Sequence, residues 1–77
     1  MMEKIRNYIV ENLLDGEVEV TDDTPLYSSG LITSMGHLKL INYIERAFEI
    51  SISAGKINLE NFDSINQIVR FIQEEQK

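Results

Sequence analysis

The run SGLITSMGHL, residues 29–38, sets a serine in the middle of an otherwise largely apolar stretch, and His37 follows Ser34 by three residues. A serine beside a histidine can act as an activated nucleophile, whereas a serine at the start of a helix can simply cap it. No third residue is evident that would orient His37, and no oxyanion hole can be recognised in the sequence. The pattern therefore does not favour a catalytic serine, and we expect that the protein is not an enzyme.

The amino-acid composition argues against a metal site, a disulfide and a nucleic-acid partner. The chain has no cysteine and one histidine, which leaves no case for a metal site or a disulfide. Its net charge is −6, and its seven basic residues are scattered among acids. Nucleic-acid binding depends on clustered basic residues, so we expect no nucleic-acid partner; an acidic protein of this kind is better suited to basic surfaces on other proteins.

Length and hydropathy predict one small domain. The 77 residues suffice for a single domain, residues 1–77, and we expect it to be a monomer. No apolar run approaches the ~18 residues that span a bilayer, and the N-terminal stretch mixes charges with apolar residues, unlike a signal peptide. We therefore expect a soluble, cytoplasmic protein without a membrane partner.

Apolar periodicity predicts three helices and one short helical turn. The first helix covers roughly residues 2–14 and ends at Asp15-Gly16, and the second runs from Ser34 to about Glu49. A short turn through Leu59 and Phe62 follows, capped by Asn58. The last helix is capped by Asp63 or Ser64. Its predicted inner face comprises Ile65, Ile68, Val69 and Ile72.

Two connectors join these helices. Residues 15–33 form a long loop, which we expect to be pinned to the core by six apolar side chains: Val18, Val20, Leu26, Tyr27, Leu31 and Ile32. A short strand through Val18 and Val20 is the competing interpretation. Residues 50–58 form the second connector. On the second helix a broad apolar stripe, widened by Leu40, is predicted to face the core, with Met35 as its most exposed member. The stripe comprises Met35, Leu38, Ile41, Ile44, Ala47 and Phe48.

The segment DDTPLYSSGLITSMGHLKLINYIERAFEI resembles the central region of acyl and peptidyl carrier proteins. Their signature is an apolar-Gly-apolar lead-in followed by Asp-Ser-Leu or Asp-Ser-Met, and Gly30-Leu31-Ile32 followed by Thr33-Ser34-Met35 is similar to it. IERAFEISI and LENFDSINQIVRFI resemble the later helices of the same family. The resemblance implies an all-α, acyl-carrier-like four-helix bundle with three main helices, one short helix and a long first loop.

The resemblance further implies that Ser34 carries covalent 4'-phosphopantetheine, added by a phosphopantetheinyl transferase. The arm would hold an acyl or aminoacyl group for an activating ligase or synthase, as in a stand-alone ligase system or a peptide- or polyketide-type pathway. Thr33 and Met35 would adjoin the cofactor. Four further residues would face partners: Leu31, Ile32, His37 and Lys39. We expect His37 to be solvated and to contact either the cofactor phosphate or a partner.

Two positions depart from the family pattern. Thr33 stands where the family usually has the aspartate that helps the transferase and its metal to engage the site, and the second helix is close to neutral where fatty-acid carriers are acidic. Thr33 can still cap the helix. The departure leaves an alternative open: a small helical protein-interaction or adaptor domain that has kept the fold and lost the cofactor.

Overall fold

A computed structural model describes residues 1–14 and 19–77, and every regular element in these ranges is helical. The four α-helices are α1 (Met2–Tyr8), α2 (Ser34–Phe48), α3 (Leu59–Phe62) and α4 (Ile65–Glu75). A π-helical turn, Ile9–Leu13, extends α1, and a 3-10 turn, Ala54–Lys56, precedes α3. The predicted all-α, acyl-carrier-like bundle with one short helix is confirmed. The predicted helix end at Asp15-Gly16 lies outside the described residues.

An isoleucine-rich core joins all four helices and the first loop. Nine large apolar side chains are almost fully buried: Ile5, Ile9, Leu26, Leu40, Ile44, Phe62, Ile65, Ile68 and Ile72. Burying a side chain of this size stabilises the fold by about 1.5–3 kcal/mol. Phe71 on α4 is also buried and lies 5.0 Å from Phe62, ring centroid to ring centroid. The core therefore fixes α3 and α4 against the start of the chain.

The predicted core stripe on α2 is wrong at Leu38, whereas Met35 was the member expected to be partly exposed. Met35 is 69% exposed and Leu38 65% exposed, while Leu40 and Ile44 are buried and Ile41 is partly buried. Leu40 lies two residues after Leu38, a rotation of about 200° around the helix axis, so the two leucines point in nearly opposite directions. The face of α2 that meets the core runs through Leu40 and Ile44, and Ile41 and Phe48 pack against it.

The first loop is held down by buried side chains and by hydrogen bonds from its backbone. Three of the side chains predicted to pin the loop are buried: Val20, Leu26 and Ile32. Val18 lies outside the described residues, and so does part of the alternative strand through Val18 and Val20. The Leu26 N–H donates to the Asp63 carbonyl at 2.6 Å, and the Ile32 N–H donates to the Leu26 carbonyl at 3.0 Å. These contacts fix the path by which the chain reaches α2.

Side-chain caps define the starts of the three later helices. The Asn58 side chain accepts from the Asn61 N–H at 3.0 Å, and the Ser64 hydroxyl accepts from the Gln67 N–H at 3.2 Å. Ser64 rather than Asp63 is thus the cap of α4.

No helix of residues 1–14 and 19–77 is both long and apolar enough to cross a membrane.

Candidate functional site

Ser34 is the first residue of α2, and its side chain is exposed. The cap of the helix is Thr33, whose backbone is extended and whose hydroxyl accepts from the Gly36 N–H at 3.4 Å. The Thr33 carbonyl accepts from the His37 N–H at 2.8 Å. Because Thr33 caps α2, the Ser34 hydroxyl is not needed for helix capping and is accessible to a modifying enzyme.

A tight turn delivers the chain to this helix start. The Gly30 N–H donates to the Tyr27 carbonyl at 3.0 Å, and Gly30 has a φ of 82°, a left-handed conformation that glycine adopts without steric cost. The buried Ile32 then anchors the segment between this turn and Thr33.

Ser34 borders a groove with a cavity volume of about 560 Å³. Three parts of the chain form its walls: the end of the first loop, the first turns of α2, and the segment around the start of α3. The lining residues are Tyr27, Ile32, Thr33, Ser34, His37, Leu38, Ile57, Asn58, Leu59 and Phe62. Half of these residues are apolar, so the groove can shelter a flexible, largely uncharged chain that begins at Ser34.

A polar pair stands among these apolar walls. The Tyr27 hydroxyl and His37 Nδ1 are 2.7 Å apart and share a hydrogen bond, and the two rings meet edge to face with centroids 5.3 Å apart. Burial raises the pKa of Tyr27 to about 12, and the negative charge of Asp63 contributes to the rise. Tyr27 therefore keeps its proton at neutral pH and can donate it to the imidazole.

The Asp63 side chain holds the first loop in place through hydrogen bonds to Tyr27 and Ser28. Its Oδ1 accepts from the N–H groups of Tyr27 at 2.8 Å and Ser28 at 2.9 Å, and its Oδ2 accepts from the Ser28 hydroxyl at 2.8 Å. Desolvation alone would raise the pKa of Asp63, but the hydrogen bonds from Ser28 and Tyr27 outweigh it and lower the pKa below its ordinary value.

The residues predicted to surround Ser34 divide into exposed and buried ones. Thr33, Met35 and Lys39 are exposed and Leu31 is half-buried. Ile32 was expected both to reach the core and to face partners; it is only 6% exposed, so the first expectation is confirmed and the second is wrong. His37, expected to be solvated and to contact the cofactor phosphate or a partner, is half-buried and hydrogen-bonded to Tyr27.

The two serines of the loop before α2, Ser28 and Ser29, have structural partners. Ser28 donates to Asp63, and Ser29 donates to the Pro25 carbonyl. Sequence reasoning missed Tyr27 and Asp63 as parts of the site, because each depends on a partner ten or more residues away. Nothing in the residues next to Tyr27 or Asp63 in the sequence indicates these distant partners.

Comparison with known proteins agrees with this geometry. The sequence matches the family described as "Phosphopantetheine attachment site" over residues 3–72. D-alanyl carrier proteins are similar: that of Streptococcus uberis is 29% identical over 64 residues, covering 83% of this chain and 81% of the relative. Those of Streptococcus sanguinis and Streptococcus suis are each 29% identical over 66 residues, 86% of this chain and 84% of theirs.

A solved structure shares the fold. A chain in the "Crystal structure of FAD-dependent dehydrogenase" superposes with a TM-score of 0.83 at 25% sequence identity, covering 88% of this chain and 97% of that one. That chain is therefore itself about as short as this one, and the likeness concerns the helical fold.

The match over nearly the whole sequence, together with the bundle and its exposed serine at the start of α2, shows that this chain belongs to the carrier-protein family, whose members are not enzymes and bear acyl groups on covalently attached 4'-phosphopantetheine.

Proposed function

We propose that this protein is an aminoacyl carrier whose 4'-phosphopantetheine is attached to Ser34 and whose cargo is a small amino acid supplied by an activating ligase. The observation that carries the proposal is the position of Ser34: exposed, first in α2, and at the wall of an apolar groove. A serine needed only for capping would occupy the position of Thr33 instead.

The residues around Ser34 fit a phosphodiester. The first backbone N–H groups of a helix point away from its body, and the helix dipole places partial positive charge there. A phosphate on the Ser34 oxygen would lie beside these groups at the start of a 15-residue helix. The scaffold therefore stabilises the negative charge that attachment introduces.

Attachment transfers the phosphopantetheine group of coenzyme A to the Ser34 hydroxyl. The Ser34 oxygen bonds to the phosphorus that bears pantetheine in coenzyme A, the bond from that phosphorus to the adenosine bisphosphate breaks, and the hydroxyl proton passes to a base of the transferase. When bound, the group supplies the thiol on which a carrier holds its acyl cargo as a thioester.

With Thr33 in place of the family's usual aspartate, this site has one negative charge fewer than that of most members. Its hydroxyl caps α2 as an aspartate would, but it brings no carboxylate next to Ser34. A transferase that relies on that carboxylate to hold its metal would engage this protein less well. We therefore expect loading to depend on which transferase is used.

Two observations support a small amino acid as cargo. The relatives that match over most of their length are D-alanyl carrier proteins. The groove beside Ser34, at about 560 Å³, has room for a group of this size. A free-standing ligase that activates the amino acid is then the expected partner.

The attachment is tested by intact-protein mass spectrometry after incubation with coenzyme A, magnesium and each of several phosphopantetheinyl transferases. The parent should gain the mass of one phosphopantetheine, and Ser34→Ala should gain none. Ser29→Ala, which removes a neighbouring loop hydroxyl, is the matched control and should be loaded like the parent. Loading of Ser34→Ala would refute the site, and failure of the folded parent with all transferases would favour the adaptor alternative.

The cargo is tested on the loaded protein with ATP, a D-alanine-activating ligase and single amino acids. D-alanine should add the mass of one alanyl group, which hydroxylamine then removes, since hydroxylamine cleaves thioesters. A larger extent of loading with bulky amino acids or fatty acids than with D-alanine would contradict the proposed cargo and leave the attachment site intact.

A further inference from the structure

We propose that His37, oriented by Tyr27, donates a hydrogen bond from Nε2 to the phosphodiester on Ser34 and so fixes the direction in which the arm leaves the protein. This inference rests on the proposed attachment at Ser34. Of the two contacts that the sequence leaves open for His37, the cofactor phosphate or a partner, it selects the phosphate and gives His37 a positioning role toward the cofactor.

The first support is the arrangement of the two residues on α2. Ser34 and His37 are three residues apart in the first turn, a spacing that brings side chains to neighbouring positions on a helix surface. Both line the same groove. A phosphate on the Ser34 oxygen is therefore within the reach of an imidazole at position 37.

The second support is the occupation of the other imidazole nitrogen. Nδ1 is engaged by the Tyr27 hydroxyl at 2.7 Å, and the edge-to-face packing of the two rings restricts rotation of the imidazole. Tyr27 is in turn fixed through its backbone N–H, which donates to Asp63 at 2.8 Å. The imidazole thus has one anchored nitrogen, while Nε2 has no hydrogen-bond partner among residues 1–14 and 19–77.

The third support is the proton on that remaining nitrogen. When the Tyr27 hydroxyl donates to Nδ1, a neutral imidazole carries its proton on Nε2, and a protonated imidazole carries one there as well. Both forms present an N–H donor. An N–H that meets a phosphate oxygen forms a charge-assisted hydrogen bond, which is stronger than a neutral one.

If Tyr27 and His37 served only to fill space in the groove wall, their polar groups would not be needed. An apolar side chain at position 37 would fill the wall of the groove without leaving a polar edge in it, and a phenylalanine in place of Tyr27 would leave no buried hydroxyl to satisfy. The pair instead keeps a donor in the groove beside the residue whose modification would add a negative charge.

The chain makes the test direct, because it contains one histidine and would carry one phosphorus atom. The nitrogen resonances of His37 are recorded by long-range proton–nitrogen NMR before and after loading, and the phosphorus resonance is recorded in the loaded protein. Mass spectrometry establishes loading for every sample. The variants are His37→Ala, His37→Gln, Tyr27→Phe and, as the matched control, Arg46→Ala at an exposed position late in α2.

Loading should shift the Nε2 resonance of the parent to that of a hydrogen-bonded N–H. The phosphorus resonance should move in His37→Ala, move less in His37→Gln, which retains a donor, and move in Tyr27→Phe, which frees the ring. It should not move in Arg46→Ala. Because the substitutions His37→Gln and Tyr27→Phe preserve most of the packing, these two variants test the bond even if the alanine variant loses structure.

The possible failures are distinguishable. A parent that gains no phosphopantetheine mass overturns both the attachment site and this inference. A loaded parent whose Nε2 resonance does not shift overturns the inference alone. A shift at Nε2 with the same phosphorus resonance in parent, His37→Ala and Tyr27→Phe also overturns it, because His37 would then contact the arm beyond its phosphate.

Discussion

The carboxylate of Asp63 holds Ser28 by two hydrogen bonds, one from its backbone N–H at 2.9 Å and one from its hydroxyl at 2.8 Å. The two residues are 35 positions apart in sequence, so the bonds tie the first loop to the junction of α3 and α4. Because that loop leads directly into Thr33 and Ser34, the junction helps to set where α2 begins.

Asp63→Asn should therefore destabilise the protein in a pH-dependent way. At neutral pH we expect a loss of about 1–2 kcal/mol in the free energy of unfolding, because an amide cannot accept as many hydrogen bonds as a carboxylate. Hydrogen bonds from Ser28 and Tyr27 lower the folded-state pKa of Asp63 below its ordinary 3.8. The stabilisation is then present above 3.8 and is lost as the pH falls through the lower folded-state value.

Urea unfolding of parent and Asp63→Asn across this pH range measures the effect. The difference between the two proteins should shrink as the solution is acidified below the ordinary carboxyl pKa. Glu60→Gln removes an exposed acid from α3 and controls for the change in net charge. A difference that stayed constant from neutral to acidic pH would show that the charge of Asp63 does not contribute.

Thr33 and Ser34 should separate stability from cofactor loading. Thr33→Ala removes the cap of α2 and should cost about 0.5–2 kcal/mol, toward the lower end because its hydrogen bond is long at 3.4 Å. Ser34→Ala removes an exposed hydroxyl and should change stability by no more than about 0.5 kcal/mol, yet it should abolish loading. Chemical denaturation and intact mass provide the two readouts.

The opposite pattern would contradict this division of roles. A Ser34→Ala variant that lost more stability than Thr33→Ala would make Ser34 a structural cap. Its failure to load would then have a second explanation, and the attachment proposal would lose its main support.

Local signals were enough to predict where the helices begin. The caps Asn58 and Ser64 precede their helices in the sequence, and each bonds to a backbone N–H three residues later. The start of α2 at Ser34 was likewise predictable from periodicity and from the Gly30 turn. Such features depend on short stretches of chain, and a single sequence contains them in full.

Features that depend on distant segments were not predictable. The sequence has apolar residues at both Leu38 and Leu40, and only the packing of the other helices decides that Leu40 is buried. The bond between Tyr27 and His37 depends in the same way on how the loop folds back onto α2. The position of Ser34 at the start of α2 was thus predictable from the sequence, while the groove beside it required the tertiary structure.

Leu40 and Leu38 offer a matched pair for testing the observed face of α2. Leu40→Ala should cost about 2–5 kcal/mol, because the side chain is fully buried and its removal leaves a cavity. Leu38→Ala makes the same chemical change on the same helix at a side chain that is 65% exposed, and it should cost no more than about 0.5 kcal/mol. Equal losses measured by urea unfolding would mean that the helix is rotated from the orientation described.

Glu49 ends α2 in a left-handed conformation, with φ 54° and ψ 47°, and its N–H donates to the Glu45 carbonyl. This conformation costs a residue with a Cβ about 1–2 kcal/mol, whereas glycine adopts it freely. Glu49→Gly should therefore stabilise the protein by about 0.5–1 kcal/mol, the rest of the gain being offset by the greater freedom of glycine in the unfolded chain.

Glu49→Ala is the matched control, because it removes the same negative charge from the C-terminal end of the helix but keeps the Cβ. Both variants gain equally from losing a carboxylate at the negative end of the helix dipole, so the difference between them isolates the backbone conformation. Thermal and urea unfolding should rank Glu49→Gly above Glu49→Ala. If the alanine variant proved at least as stable, the left-handed conformation at position 49 would cost the protein nothing, and the end of α2 would have to be set by the bond from the Ile52 N–H to the Glu45 carboxylate at 2.9 Å.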